Sequence, residues 1–239
     1  MANRPILFSA PMIKALLAGT KTQTRRLLNP QPFLDDGSWK VQWGKVLRCW
    51  QDGRSPEIIP NWLRIAVGDR LYVREHWRTF VSLDKVAPRD LLDDGKRGAG
   101  VLYIADGEGM ALTVDGSRTY GPRDTPQAFG KHRQAMHMPR WASRLTLHVT
   151  DVRVQRLQEI DGADARAEGT PCYVCGNPLD GKSEADCHCF HRTADASDYA
   201  NLWNAINGTK EQPDPWSLNP WVAAYTFEVE RCNIDQAKP

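Results

Sequence analysis

The stretch from Arg144 to Leu157 constrains this chain more than any other. Leu145, Leu147 and Val149 alternate with polar residues, and Val152, Val154 and Leu157 resume the pattern after Asp151, as a long strand with one buried face requires. Shorter strands are expected at 5–9, around Leu71–Arg74, where Leu71 and Val73 oppose Tyr72 and Arg74, and at Trp221–Val229. A hairpin is expected with strands Val101–Ala105 and Met110–Val114, and another around Trp39–Trp50. Helical spacing is confined to three short segments. Ala10–Leu17 carries Met12, Ile13, Leu16 and Leu17 and stops at Gly19. Asp161–Glu168 ends at Gly169, and Ser197–Ile206 has Ser197 as its cap. Strands dispersed among a few short helices, with no βαβ alternation, argue for an α+β or mixed β-barrel fold over a doubly wound sheet.

At 239 residues, 41% hydrophobic and with nine tryptophans, the chain can bury a substantial core. No run approaches the roughly 20 apolar residues that span a bilayer, and the opening residues lack the apolar region of a secretory signal. The expectation is a cytoplasmic protein with no membrane partner. Net charge is +2, but residues 1–80 hold 13 Lys and Arg against 6 Asp and Glu, leaving 18 against 23 elsewhere. A basic first third suits a phosphate-bearing partner, and an arginine-rich solvated surface accounts for it equally well.

Four of the six cysteines fall within 172–189. Cys172 and Cys175 have the CxxC spacing of a zinc knuckle, and Cys187 and Cys189 complete a tetrahedral set, with His191 or His188 as substitutes. Four protein ligands leave no open position for water, so this zinc would be structural. A redox dithiol or free thiols are the competing assignments. There is no GxxxxGK[ST], GxGxxG or HExxH motif, and no organic cofactor is expected.

Four segments resemble the ASCH domain of the PUA-like superfamily, in its longer phage and prophage form. They are Leu17-Ala-Gly-Thr-Lys-Thr-Gln-Thr-Arg-Arg26, Val67-Gly-Asp-Arg-Leu-Tyr-Val-Arg-Glu-His-Trp77, Met138-Pro-Arg-Trp-Ala-Ser-Arg-Leu145, and Ala165-Arg-Ala-Glu-Gly169 with the later Leu202-Trp203 and Asn219-Pro-Trp-Val222. The resemblance implies a single domain over 1–232, a mixed β-barrel flanked by short helices. It would carry insertions at about 29–61, 81–138 and 170–193, and a polar tail at 233–239.

A small bacterial member of this family removes the acetyl group from N4-acetylcytidine, and its catalytic Lys, Thr and Glu match Lys21, Thr24 and Glu168. The resemblance therefore implies a nucleobase-directed amidohydrolase, cleaving a non-peptide C–N bond of an acylated cytidine. In that scheme Lys21 acts as a neutral base toward Thr24 or a water held by it, if the backbone curls there. Glu168 would orient water or return a proton to the leaving nitrogen, and backbone amides of Thr22 to Arg25 would face the oxyanion. Thr22, Arg25, Arg26 and Trp77 are the expected substrate contacts. The expected partner is a modified nucleoside or a nucleic acid; protein partners are unknown. Other members of the superfamily suggest an RNA or modified-DNA reader without catalysis, or a ribonuclease. Without the resemblance, residues 21–24 are a polar turn, Glu168 a solvated helix-end carboxylate, and Trp77 a core residue.

Overall fold

The computed structural model describes residues 1–49, 63–91, 99–112, 118–122, 128–170 and 195–237. Its elements run β1 (Asn3–Leu7), α1 (Ala10–Ala18), β2 (Gln23–Leu27), β3 (Pro32–Asp35), β4 (Ser38–Trp43), β5 (Val46–Cys49), β6 (Arg70–Arg74) and β7 (Trp77–Arg78). There follow β8 (Ala99–Tyr103), β9 (Glu108–Leu112), β10 (Arg118–Pro122), β11 (Thr146–Arg156), α2 (Gly162–Ala167), α3 (Ala196–Asn207) and β12 (Trp221–Glu230). The chain groups into two compact units. One comprises Met1–Leu17, Asp69–His148 and Val229–Pro239; the other comprises Ala18–Gly68 and Val149–Glu228.

In the first unit β1 pairs in parallel with β6, and β6 pairs antiparallel with the start of β11, Leu147 opposite Leu71. The expected half-buried strand at 71–74 is covered on both faces, since Leu71, Tyr72 and Val73 are all buried. A central position between two partners explains this, because both faces of an inner strand can be packed. The region 81–138 contributes most of a second sheet, ordered β10-β9-β8-β7. Its hairpin turns two residues earlier than expected: Gly107, at φ 78°, closes the turn and donates its N–H to Tyr103, and β9 already begins at Glu108. Trp77, Val101, Tyr103, Met110 and Met138 form the core here. Each large apolar side chain so buried contributes about 1.5–3 kcal/mol.

Residues 233 and 234, within the expected polar segment, are packed. Asn233 is fully buried and its amide donates to the carbonyls of Arg140, Trp141 and Ser143, while Ile234 is 1% exposed. A side chain with three backbone acceptors pins this terminus in a way hydropathy alone does not signal.

In the second unit β2 and β12 pair antiparallel, Thr24 opposite Tyr225 and Arg25 opposite Ala224. Residues 32–49, where one hairpin was expected, form a three-stranded antiparallel meander, β3-β4-β5. Asp161 caps α2 through the Asp164 N–H, and Gly169 ends it in the left-handed region at φ 70°, where an L-residue would be strained. Asp195, not Ser197, caps α3, because its carboxylate accepts from both the Ser197 and Asp198 N–H groups and Asp198 returns the bond. Leu157, Ile160, Ala165, Tyr199, Trp203 and Val222 make the core of this unit.

The described strands do not close into a ring in either unit. The order is β1-β6-β11 in the first and β11-β12-β2 in the second, leaving β1 and β2 as edges. The fold is α+β, with several sheets and few helices. Among the described residues no helix is long and apolar enough to cross a membrane.

Candidate functional site

The site lies in the second unit, where the start of β2 meets the end of α2. Gly19, at φ 77°, turns the chain after α1. Beyond it the backbone runs extended instead of curling. Lys21 bridges Glu168, Thr22 donates its N–H to Ala167 O at 2.8 Å, and Phe227 donates to Thr22 O at 2.9 Å before β2 begins. Side chains along an extended chain alternate between faces. Lys21, Gln23 and Arg25 therefore share one face, and Thr22, Thr24 and Arg26 the other.

The face of Lys21 carries a buried ion network. The Lys21 ammonium donates to Gln23 O, Glu168 O and Glu168 Oε2, each at 2.8 Å. Arg25 reaches Glu168 Oε1 at 3.1 Å, and pairs with Asp164 and with the Gln23 side chain. Arg153 adds a second cation to Asp164 at 3.0 Å. The Lys21 and Glu168 side chains are only 1% and 4% exposed. Asp164 and Glu168 lie four residues apart around α2, the spacing that puts two side chains on one helix face.

The protonation states follow from this geometry. Burial pulls the Lys21 pKa below the ordinary lysine range; the charge and hydrogen bond of Glu168 oppose this, and Arg26 and Arg25 add to it. In the resting arrangement Lys21 is nonetheless an ammonium, because its three donors all have acceptors. Burial also acts against the Asp164 carboxylate, but Arg153 and Arg25 outweigh it and hold Asp164 below the usual carboxylate range. Tyr199, with Arg25 5.9 Å above its ring, is pushed well above the usual phenol value, first by burial and then by Glu168. Two buried polar atoms here have no hydrogen-bond partner: Arg25 Nε and, two residues past Glu168, Thr170 Oγ1.

The other face of β2 borders a cleft of about 490 Å³ lined by Arg26, Arg64, Trp43 and Tyr225 together with Leu27 and Leu63. Trp43 is 50% exposed. Burial raises the Tyr225 hydroxyl to about 12, with Arg26 opposing. Burial lowers the Arg26 pKa, with Glu168, Tyr199 and Tyr225 opposing.

Residues 147 apart in sequence, Lys21 and Glu168, are thus brought into contact, and Arg25 joins them. Thr24 is buried but turned to the opposite face, since positions i and i+3 of a strand point apart. The amide of Thr22 is taken by Ala167 O, so it does not face an oxyanion. Thr22 is exposed on the Thr24 face and Arg26 lines the cleft.

Trp77, expected to contact substrate, instead belongs to the first unit, where it is wholly buried in the core under the Arg133 guanidinium. A tryptophan with no accessible face offers no stacking platform. Cys172, Cys175, Cys187, Cys189, His188 and His191 lie outside the described residues, and among those described no group of three His, Cys, Asp or Glu side chains could hold a metal. Residue-type reasoning missed Gln23, Asp164, Tyr199 and Tyr225. Strand periodicity from Lys21 and helix periodicity from Glu168 were the signals for the first two.

Comparisons with family models, with curated proteins and with solved structures find no match to this chain.

Proposed function

We propose that this chain is an ASCH-type amidohydrolase that removes an acyl group from the exocyclic nitrogen of a modified cytidine, with Lys21 and Glu168 as its acid–base pair. What supports the reading is the buried contact between those two residues. A buried ion pair contributes little net stability compared with apolar packing, whereas perturbed, water-excluded ionisable groups are what proton transfer requires.

In this reading the Glu168 carboxylate takes a proton from water, whose oxygen adds to the acyl carbon. As the C–N bond breaks, the Lys21 ammonium, made more acidic by burial, gives its proton to the departing amine. Glu168 then returns the first proton to Lys21, leaving a carboxylic acid and the free base. This reverses the base role expected of Lys21 and makes water, not Thr24, the nucleophile. Arg25 holds Glu168 in position through its 3.1 Å contact. Arg26 and Arg64, with Trp43 and Tyr225, line the cleft on the opposite face of β2, where guanidinium forks suit phosphate or base edges and aromatic faces suit a ring. That same cleft favours a second reading, a reader that binds nucleic acid without turnover.

Release of cytidine from N4-acetylcytidine tests the proposal. Wild-type protein is expected to turn over, Glu168→Gln and Lys21→Met to lose at least about 100-fold, and Thr24→Ala to keep most activity. A well-folded wild type without turnover sinks the hydrolase, and steeply salt-dependent polynucleotide binding would then establish the reader.

A further inference from the structure

The first unit holds a separate cleft of about 370 Å³ at the end of β6, walled by short 3-10 turns at Pro88–Asp90 and Ala135–His137. Its ionisable lining is entirely basic in type: Arg74, Arg89 and His137, set among Met136, Pro88 and Pro139. We infer that this cleft binds a phosphate group, with Arg74 as its anchor.

Arg74 is fixed before any ligand arrives. Its guanidinium donates to Met136 O and to the Tyr72 hydroxyl, each at 3.1 Å, and sits 5.3 Å from the Tyr72 ring centre. Neither acceptor carries a negative charge, and among the described residues no carboxylate pairs with it. Its Nε is buried and lacks a partner. A guanidinium held by neutral acceptors keeps its charge uncompensated, and an oxyanion in the cleft satisfies that charge through the outer Nη donors. The contrast with Arg144 in the same unit is informative, since that guanidinium is fully matched by carboxylates. Arg89, with a side chain 88% exposed and only a 3.4 Å contact to the exposed Asp90, can swing to the opposite side of the same anion. The methionine and proline walls leave room for an apolar portion, so the phosphate can be free or carried on a small organic group such as a nucleoside.

Titrations with inorganic phosphate and with cytidine 5′-monophosphate, followed by amide chemical shifts at constant ionic strength, test this. Saturable shifts are expected at residues 74, 88–90 and 136–138. Arg74→Gln should weaken phosphate at least about 10-fold, Arg74→Lys less, and Arg89→Ala about 3–10-fold. Arg89 is exposed enough that its removal leaves the fold intact. Tighter binding of the monophosphate than of phosphate identifies a nucleotide source; equal binding identifies the phosphate alone, as a free ion. Absence of saturable shifts in folded wild type, or equal affinity in Arg74→Gln and Arg89→Ala, overturns the site. None of these outcomes depends on amide hydrolysis.

Discussion

Each unit buries an arginine–carboxylate cluster, and the two clusters are finished differently. In the first, Arg144 meets Glu75 with two parallel bonds of 2.9 Å, adds Asp106 at 2.7 Å, and lies 4.0 Å from the Tyr103 ring centre. Its pKa is raised by Glu75 and Asp106 against the pull of burial. Burial pushes Glu75 up, Arg144 opposing. No side-chain nitrogen of Arg144 is left without a partner. In the second unit two cations, Lys21 and Arg25, share Glu168 and Asp164, and both Arg25 Nε and Thr170 Oγ1 are left without partners. The first arrangement is complete and braces β6 to the segment leading into β11. The second leaves an arginine nitrogen and a threonine hydroxyl without a protein partner.

Removing the central cation of the complete cluster should have the largest effect on stability. Arg144→Met leaves Glu75 buried and unpaired, and is expected to cost about 3–5 kcal/mol in denaturant unfolding. Lys21→Met should cost distinctly less, because Arg25 still contacts Glu168. Equal costs would mean that both clusters are braces, and the distinction between them would collapse.

The pH dependence of turnover sharpens the role of the open cluster. With Lys21 as the acid, kcat/KM should fall as pH rises through the lowered Lys21 pKa, at pH values beneath the ordinary lysine range. The drop is limited to about 10-fold per pH unit. An activity that rises through that window would instead make Lys21 the base.

Much of the fold was legible because it rests on period. The alternation of Arg144–Leu157 is β11, the Met12–Leu16 spacing is α1, and Gly169 stops α2. The helix cap differed because it rests on local polar contacts: Asp195 accepts from two N–H groups where Ser197 was expected to cap. At the site, Lys21 and Glu168 lie 147 positions apart in sequence, and their pairing came only through resemblance. The assumption that Lys21 and Thr24 converge failed for a local reason. The polar run 20–26 carries no hydrophobic alternation, so nothing in it announced that it enters a strand beside β12. Trp77 was ambiguous because a motif position and a core position look alike until burial is known.

The smallest expected effect isolates the rim of the open cluster. Asp164 is held by Arg25 and Arg153 with its folded pKa below the ordinary value, so its contribution is present above the unfolded carboxylate pKa of about 3.9 and is lost as pH falls through the folded one. Asp164→Asn should therefore cost about 1 kcal/mol at pH 7, a modest figure because the Arg153 side chain is 43% exposed. The gap between variant and wild type should close on acidification below pH 4. Arg25 keeps its Glu168 partner in that variant, so turnover should fall only a few-fold. A loss as deep as that of Glu168→Gln would place Asp164 inside the chemistry and turn the acid–base pair into a larger coupled unit.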